Sequence, residues 1–259
     1  MRSSSLLVVA VMFAAAFCTP APTAAITSLS GPVHHWKLDE ATGNIATDSV
    51  AGNNGTLFNW GIAERRWVPG KIGRALDFGD ADNAVFTDAP IAHDQYTIAF
   101  WLKVRAPEGI NPRLVGPSDG LHHWLVIGNE DNFGVGFYYD HGAVTVQDRI
   151  PPVLNEWEHY AVTYDRAAGM AAVYRNGSEV VSGTFNDALP SGNWVFGHQG
   201  DPSNHNDSLN GLLDDIRIYD RLLLESEISN LAAIPEPSAL VGGLILAALY
   251  SSVARVPKR

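Results

Sequence analysis

The chain of 259 residues has one cysteine, Cys18. A lone cysteine closes no internal disulfide and builds no thiolate zinc cage, so a packed core must hold the fold together. Basic residues are also scarce: 17 Lys and Arg stand against 28 Asp and Glu, for a net charge of −11. That balance gives no electrostatic footprint for nucleic acid or for anionic lipid. It suits a cation or a neutral sugar better. No HExxH zinc motif occurs, and no Gly-rich phosphate loop follows a strand and opens a helix. Internal repeats, low-complexity tracts and interior linkers are absent as well. The central stretch therefore reads as one domain, long enough at about 200 residues to bury a core.

The two ends are patterned differently. Arg2, an apolar run from Leu6 to Phe17 and the small residues that follow describe a secretory signal peptide over residues 1–25. Cys18 lies inside it, and Phe17 before it does not suit a lipoprotein signal. At the other end, Pro235-Glu236-Pro237 precedes an uncharged stretch from Ser238 to Val253, then Arg255, Lys258 and Arg259. At about 1.5 Å per residue this stretch barely crosses a ~30 Å hydrocarbon core, with the basic end cytoplasmic. The order Pro-Glu-Pro, apolar helix, basic tail over residues 235–259 resembles the PEP-CTERM sorting signal of Gram-negative bacteria. The resemblance implies cutting by an exosortase, and a chain attached to the membrane only transiently, through this segment. Asn54, Asn176 and Asn206 begin N-x-Ser/Thr sequons, which in a bacterial protein read as turn chemistry.

Between the ends the periodicity is that of strands. Tyr96, Ile98, Phe100, Leu102 and Val104 share one face, as do Phe133, Val135, Phe137 and Tyr139. Asp214 falls on the face of Ile216 and Ile218. Asn176-Gly177 marks a hairpin with a type I′ turn. Only residues 222–233 look helical. Short strands punctuated by Gly, Asn, Asp and Pro predict an all-β sandwich with one late helix.

Several stretches in order then resemble a family. They are HHWKLDEATGNIATDSVAGNNGTL, PGKIGRALDFGDADNAVFT, YTIAFWLKV, WEHYAVTYD, AAVYRNGSEV and LNGLLDDIRIYDRLLLESEI. Together they are similar to the laminin G-like branch of the concanavalin A-like lectin/glucanase superfamily, for a domain spanning 27–234. The resemblance implies a jelly roll of two curved antiparallel sheets whose first and last strands lie together. Leu224 stands where that family often has a Ser as N-cap of the last helix.

Candidate chemistry is sparse. Glu156 and Glu158, on one strand, would lie about 6.6 Å apart on the same side, a spacing found in inverting glycosidases. The Glu-x-Asp-x-x-Glu strand of related glucanases does not occur, however, and His159 must point away from both glutamates. The expectation is a solvated strand entrance with Trp157 packed and His159 hydrogen-bonded, and no catalytic residue. His34-His35 and His122-His123 cannot chelate one ion from regular strands, because neighbours alternate. His198 and His205 flank one loop.

Calcium is the better metal hypothesis, since the available ligands are hard oxygens. In related jelly-roll glucanases an Asp matching Asp214 binds a structural calcium. The resemblance offers Asp39 as its partner and Gly79 or Asp80 as carbonyl source. The other reading of Asp214 is a carboxylate accepting backbone N–H bonds at a bend. Pentraxins, similar in fold, bind calcium through a loop that here would use Gln199, Gly200, Asp201 and Asp207. That loop also reads as a plain polar turn. For a ligand, Gly134, Gly136 and Tyr138 form a shallow floor on which a sugar ring could stack, extended by Trp124. The same glycines also suit relief of crowding where sheets curve.

Three functions remain. One is a secreted, surface-sorted, non-catalytic carbohydrate-binding protein. Another is a structural or adhesive matrix protein without sugar specificity. The third is a divergent glycosidase or polysaccharide lyase. The fold alone does not choose among them.

Overall fold

The computed structural model describes residues 30–59, 66–79, 83–105, 112–118, 124–127, 134–138, 146–186, 191–198 and 208–233. In chain order the strands are β1 (His34–Trp36), β2 (Ile45–Ala46), β3 (Gly55–Phe58), β4 (Trp67–Pro69), β5 (Arg74–Gly79), β6 (Ala84–Pro90), β7 (Gln95–Val104) and β8 (Arg113–Pro117). They continue with β9 (Trp124–Ile127), β10 (Val135–Tyr138), β11 (Val146–Gln147), β12 (Glu158–Asp165), β13 (Met170–Arg175), β14 (Ser178–Thr184), β15 (Asn193–Phe196) and β16 (Gly211–Tyr219). The helix α1 (Glu225–Ala232) follows.

The strands form two antiparallel sheets. Sheet A runs β14-β13-β12-β7-β16-β5-β4, with β1 also paired to β16; sheet B runs β11-β10-β9-β8-β15-β6-β3-β2. Period-two alternation decides which side chains meet between them. Along β7, Tyr96, Ile98, Phe100, Leu102 and Val104 enter the core. There they join Tyr160, Val162 and Tyr164 of β12 and Trp194 and Phe196 of β15. The first and last strands do lie together: His34, His35 and Trp36 pair with Ile218, Arg217 and Ile216.

Local signals explain the details. Asn176 and Gly177 carry φ of 51° and 88°, the left-handed pair that the β13–β14 turn requires. The helix is shorter than its pattern suggested. Leu224 has no side-chain acceptor to cap it, so Glu227 reaches back and accepts the Leu224 N–H at 2.9 Å, half of a capping box. Arg221 holds that carboxylate in place through Nη1 at 2.9 Å and Nη2 at 2.8 Å. The helix covers the outer face of sheet A, with Ile228 packed in one cluster with Ala99, Ala161 and Tyr219.

One expected orientation is corrected. The register of β16 against β7 breaks between Asp214 and Arg217, and Asp215 has a φ of 52°. This bulge inserts a residue and shifts the alternation. Ile216 and Ile218 point into the core, whereas Asp214 pairs with Trp101 and faces outward.

Candidate functional site

Asp214 is outward yet fully buried. The turn joining β4 to β5 folds over it, and the Ile72 N–H donates to its Oδ2 at 2.8 Å. A side chain at Gly70 would collide with that same oxygen, 2.6 Å away. Oδ1 has no hydrogen-bond partner. Burial therefore pushes the carboxyl up from 3.8 to about 8; the Ile72 and Lys71 N–H groups oppose the rise, and the Asp215 and Asp39 charges add to it. Asp39 grips the other end of the same turn, where its Oδ1 accepts the Arg74 N–H at 2.8 Å. Asp39 and Asp214 are thus brought to one turn, each holding its backbone. Gly79 is not: it pairs with Gly211, three positions along β16 from Asp214. Among the described residues no group of three or more His, Cys, Asp or Glu is placed to hold a metal. The Gln199, Gly200, Asp201 and Asp207 loop, together with Asp80, lies outside the described residues.

Trp101 is the centre of a row. It pairs with Asp214 on one side and with His159 on the other. The His159 ring stands edge-on to the indole at 5.2 Å, and Lys71 Nζ lies 4.9 Å from a Trp101 ring centroid. His159 Nδ1 and Trp101 Nε1 are buried without partners, so the expected hydrogen bond of His159 is missing at that nitrogen. Burial holds the imidazole down at about 4; Asp215 opposes this and Arg217 adds to it.

The glutamate pair is taken apart. β12 begins at Glu158, so Glu156 sits before the strand in an exposed turn. Glu158 is buried rather than solvated. Its Oε1 accepts Arg175 Nε at 2.9 Å, and its Oε2 accepts the Val153 N–H at 3.0 Å. The same guanidinium donates to the carbonyls of Ile150 and Pro151, both at 3.1 Å. Glu158 thereby pins the 148–153 strap to the sheet. Trp157 is only half-buried.

The histidines at the start of the chain part as expected. His34 Nδ1 meets Asp48 at 2.8 Å, while His35 Nε2 meets Asp215 at 2.6 Å from the opposite face. His122, His123 and His205 lie outside the described residues. Gly116-Pro117-Ser118-Asp119-Gly120 has the G-x-S-x-G spacing. Ser118 follows a strand of an antiparallel sheet, and its Oγ accepts the Asn193 N–H at 2.9 Å. Residues 119–123 lie outside the described residues, so among the described residues no strand-to-helix elbow of the kind that exposes a nucleophile is present.

Sheet B carries the ligand candidates. The backbones of Trp124 and Tyr138 are register partners across β9 and β10, and Gly136 pairs with Val126. Gly134 and Gly136 are buried, however. A Cβ at Gly134 would lie 1.4 Å from the Asp148 carbonyl oxygen, and one at Gly136 would lie 2.6 Å from Gln147 Cα. The glycines let neighbouring backbone close in, so no open floor exists at them. A different aromatic pair stands on the outer face of sheet B. Phe58 is 45 % exposed and meets Phe86 edge-on at 5.8 Å. Phe86 packs on Ala84, Val126 and Val195. The signal was readable: Phe58 and Phe86 each follow a core residue, Leu57 and Val85, and so fall on the face turned away from the core.

The concanavalin A-like lectin/glucanases superfamily, through its Laminin_G_3 family, matches residues 78–229, more than half of the chain. The chain belongs to this family. A comparison with curated protein sequences gave no match. Among solved structures, domain 4 of AbnA, a GH43 extracellular arabinanase from Geobacillus stearothermophilus, in complex with arabinotriose, is similar over 78% of this chain and 98% of that one, at 23% identity and TM-score 0.61. The binding domain of Paraclostridial Mosquitocidal Protein 1 is similar over 78% of this chain and 52% of that one, at 19% identity and TM-score 0.59. A mutant Trypanosoma rangeli sialidase displaying trans-sialidase activity matches over 78% of this chain but only 32% of its own, at 16% identity and TM-score 0.58. These likenesses show the fold.

Proposed function

We propose that this chain is a secreted, non-catalytic glycan-binding module. The observation that carries the reading is the Phe58–Phe86 pair on the outer face of sheet B, in a family of lectins and glucanases. The half-exposed Phe58 ring, set edge-on against a Phe86 that packs on Ala84, Val126 and Val195, offers a stacking surface to a sugar. The arabinotriose held by the similarly folded arabinanase domain supports the ligand class. The non-catalytic part draws support from Glu158, whose carboxylate is committed to Arg175 and Val153.

Calcium belongs to the same proposal. A cation would satisfy Asp214 Oδ1, with Asp39 as the second carboxylate; a proton satisfies it equally well. Secretion and exosortase sorting rest on residues 1–25 and 235–259, outside the described residues. Among the described residues no helix is long and apolar enough to cross a membrane.

The test is a panel of immobilised polysaccharides and oligosaccharides, read with and without chelator. Phe58→Ala should weaken binding about tenfold, or about 1.4 kcal/mol, with the thermal midpoint unchanged. Unaltered binding in that variant would remove the site. Release of reducing ends by the wild type would replace binding with hydrolysis. Mass spectrometry of protein from the native host should find mature chains starting near Ile26 and ending near Ser238; intact Lys258-Arg259 peptides would argue for a retained anchor.

A further inference from the structure

The helix α1 runs back along the outer face of sheet A. Its entry lies where the Leu223 N–H donates to Thr97 Oγ1, near the start of β7. Its last turn lies over the β13–β14 turn, where a Cβ at Gly177 would meet Ser229 Cα at 2.9 Å and Ala232 Cβ at 3.4 Å. Two residues before Gly177, Arg175 donates to the carbonyls of Ile150 and Pro151. The exit of the helix and the 148–154 strap therefore share one end of the sandwich. That strap turns apolar side chains outward: Ile150 is 61 % exposed, Val153 53 % and Leu154 47 %. No other large hydrophobic among the described residues is as exposed as Ile150. Pro151 is exposed as well, and Trp157 is half-buried just beyond. The strap is also held firmly. Besides the Arg175 bonds, the Val153 N–H donates to Glu158 at 3.0 Å, the Asn155 N–H to the Val104 carbonyl at 2.7 Å, and the Ile150 N–H to Asp148 Oδ1 at 2.9 Å. A surface arranged in advance loses little freedom on contact.

On the reading of residues 235–259 as a sorting and membrane segment, we propose that Ile150, Val153 and Leu154 dock on the lipid bilayer that this segment enters. The described chain ends at Ala233, and the uncharged stretch begins at Ser238, five residues on. Five residues reach at most about 18 Å, so a bilayer holding that stretch lies close against this end of the domain. A contiguous exposed apolar patch marks a protein or a membrane surface, and the exit of the chain beside it selects the membrane. Aliphatic side chains enter the boundary between headgroups and acyl chains, and a tryptophan at the margin suits the same layer. Net charge does not drive the contact, because a chain at −11 is repelled by anionic lipid. Three side chains alone hold a membrane weakly. The tail supplies the high local concentration, and the strap sets the orientation of the domain.

The full chain, with Cys18→Ser, is placed in phosphatidylcholine vesicles and carries a fluorophore on Val153→Cys. Lipids brominated near the headgroup should quench it roughly threefold more than a fluorophore on Asp220→Cys, and added salt should leave that ratio unchanged. Asp220 is exposed just past the opposite end of β16, where Tyr219 pairs with Thr97. Ile150→Glu with Leu154→Glu should bring the Val153→Cys signal down to that of the control. The chain should still float with the vesicles and keep its thermal midpoint, since both side chains are exposed. Equal quenching at Val153→Cys and Asp220→Cys in chains that float would overturn the docking and leave the membrane segment standing. Chains that do not float would overturn both. Without vesicles, the Val153→Cys fluorophore should sit in water. Shielding that grows with protein concentration would give the patch to a second copy, and shielding at every concentration would give it to the apolar tail of this chain; either would overturn the proposal.

Discussion

Asp214→Asn should make the protein more stable in alkaline chelator, not less. Unfolded, this carboxyl titrates at 3.8; folded, burial moves it to about 8. The folded state keeps a proton that the unfolded state releases. The stability this contributes is complete below 3.8 and is lost as pH rises toward 8, at ~1.4 kcal/mol per unit. Between pH 6.5 and 8 the loss is on the order of 2 kcal/mol, or roughly 4–8 °C of melting temperature for a domain of this size. Asparagine keeps an acceptor for the Ile72 N–H, occupies the same volume and carries no charge. Its melting temperature should therefore stay flat over that window while the wild type falls.

The assay is a series of thermal melts in buffered chelator, repeated in millimolar calcium. If a cation takes the place of the proton, calcium should restore the wild type at pH 8 by about 2.7 kcal/mol at a hundredfold excess over Kd. It should do nothing for Asp214→Asn. Parallel pH profiles for the two proteins in chelator would refute the buried, protonated carboxyl. A wild type indifferent to calcium would refute the cation and leave the proton standing.

Other substitutions test other parts of the structure. Glu158→Ala leaves Arg175 buried beside Asp148 without its main partner, and should cost about 3–5 kcal/mol in a denaturant titration. Glu156→Gln should change nothing in the same experiment, since its side chain lies in an exposed turn. Gly134→Ala drives a methyl group into the Asp148 carbonyl and should cost about 1–3 kcal/mol. Gly183→Ala, whose Cβ would meet Val146 at 3.6 Å, should be nearly neutral by the same measurement.

The sandwich was legible because alternation is a local property. Tyr96 to Val104 names its own buried face, and Asn176-Gly177 its own turn. The family motifs set the order of the rest. What failed was whatever depends on partners far away in the chain. Asp214 was placed on the wrong face because a bulge is invisible in the alternation it interrupts. The register break against β7 and the positive φ of Asp215 reveal it. Glu158 was read as solvated because its partner Arg175 and the strap at 150–153 arrive from a neighbouring strand and a loop. Gly134 and Gly136 left two readings open, a sugar floor and relief of crowding, because sequence shows a missing side chain but not the backbone that fills its place; the structure has the second. Phe58 and Phe86 are legible in the alternation, since each follows a core residue, Leu57 and Val85.

Asp214 and His159 flank the same tryptophan and titrate against each other. Folding raises the pKa of the carboxyl and lowers that of the imidazole, from 6.5 to about 4. The neutral buried His159 contributes stability that is complete above 6.5. That stability is lost as pH falls toward 4, because the unfolded imidazole takes a proton that the folded one refuses. Over the same interval the Asp214 contribution grows as pH falls. The two slopes are each ~1.4 kcal/mol per unit and opposite in sign, so the wild type should show a plateau between about pH 4 and 6.5 and a decline above it. His159→Phe fills the space beside Trp101 without a titrating group, and should turn the plateau into a steady rise toward acid. Asp214→Asn should tilt it the other way, with stability falling as the solution is acidified. The double variant should restore a flat profile, with no decline above pH 6.5. Melts of the four proteins across this range settle the matter. If both single variants keep the wild-type plateau, neither group is held away from its ordinary titration, and the electrostatic account of this face is wrong.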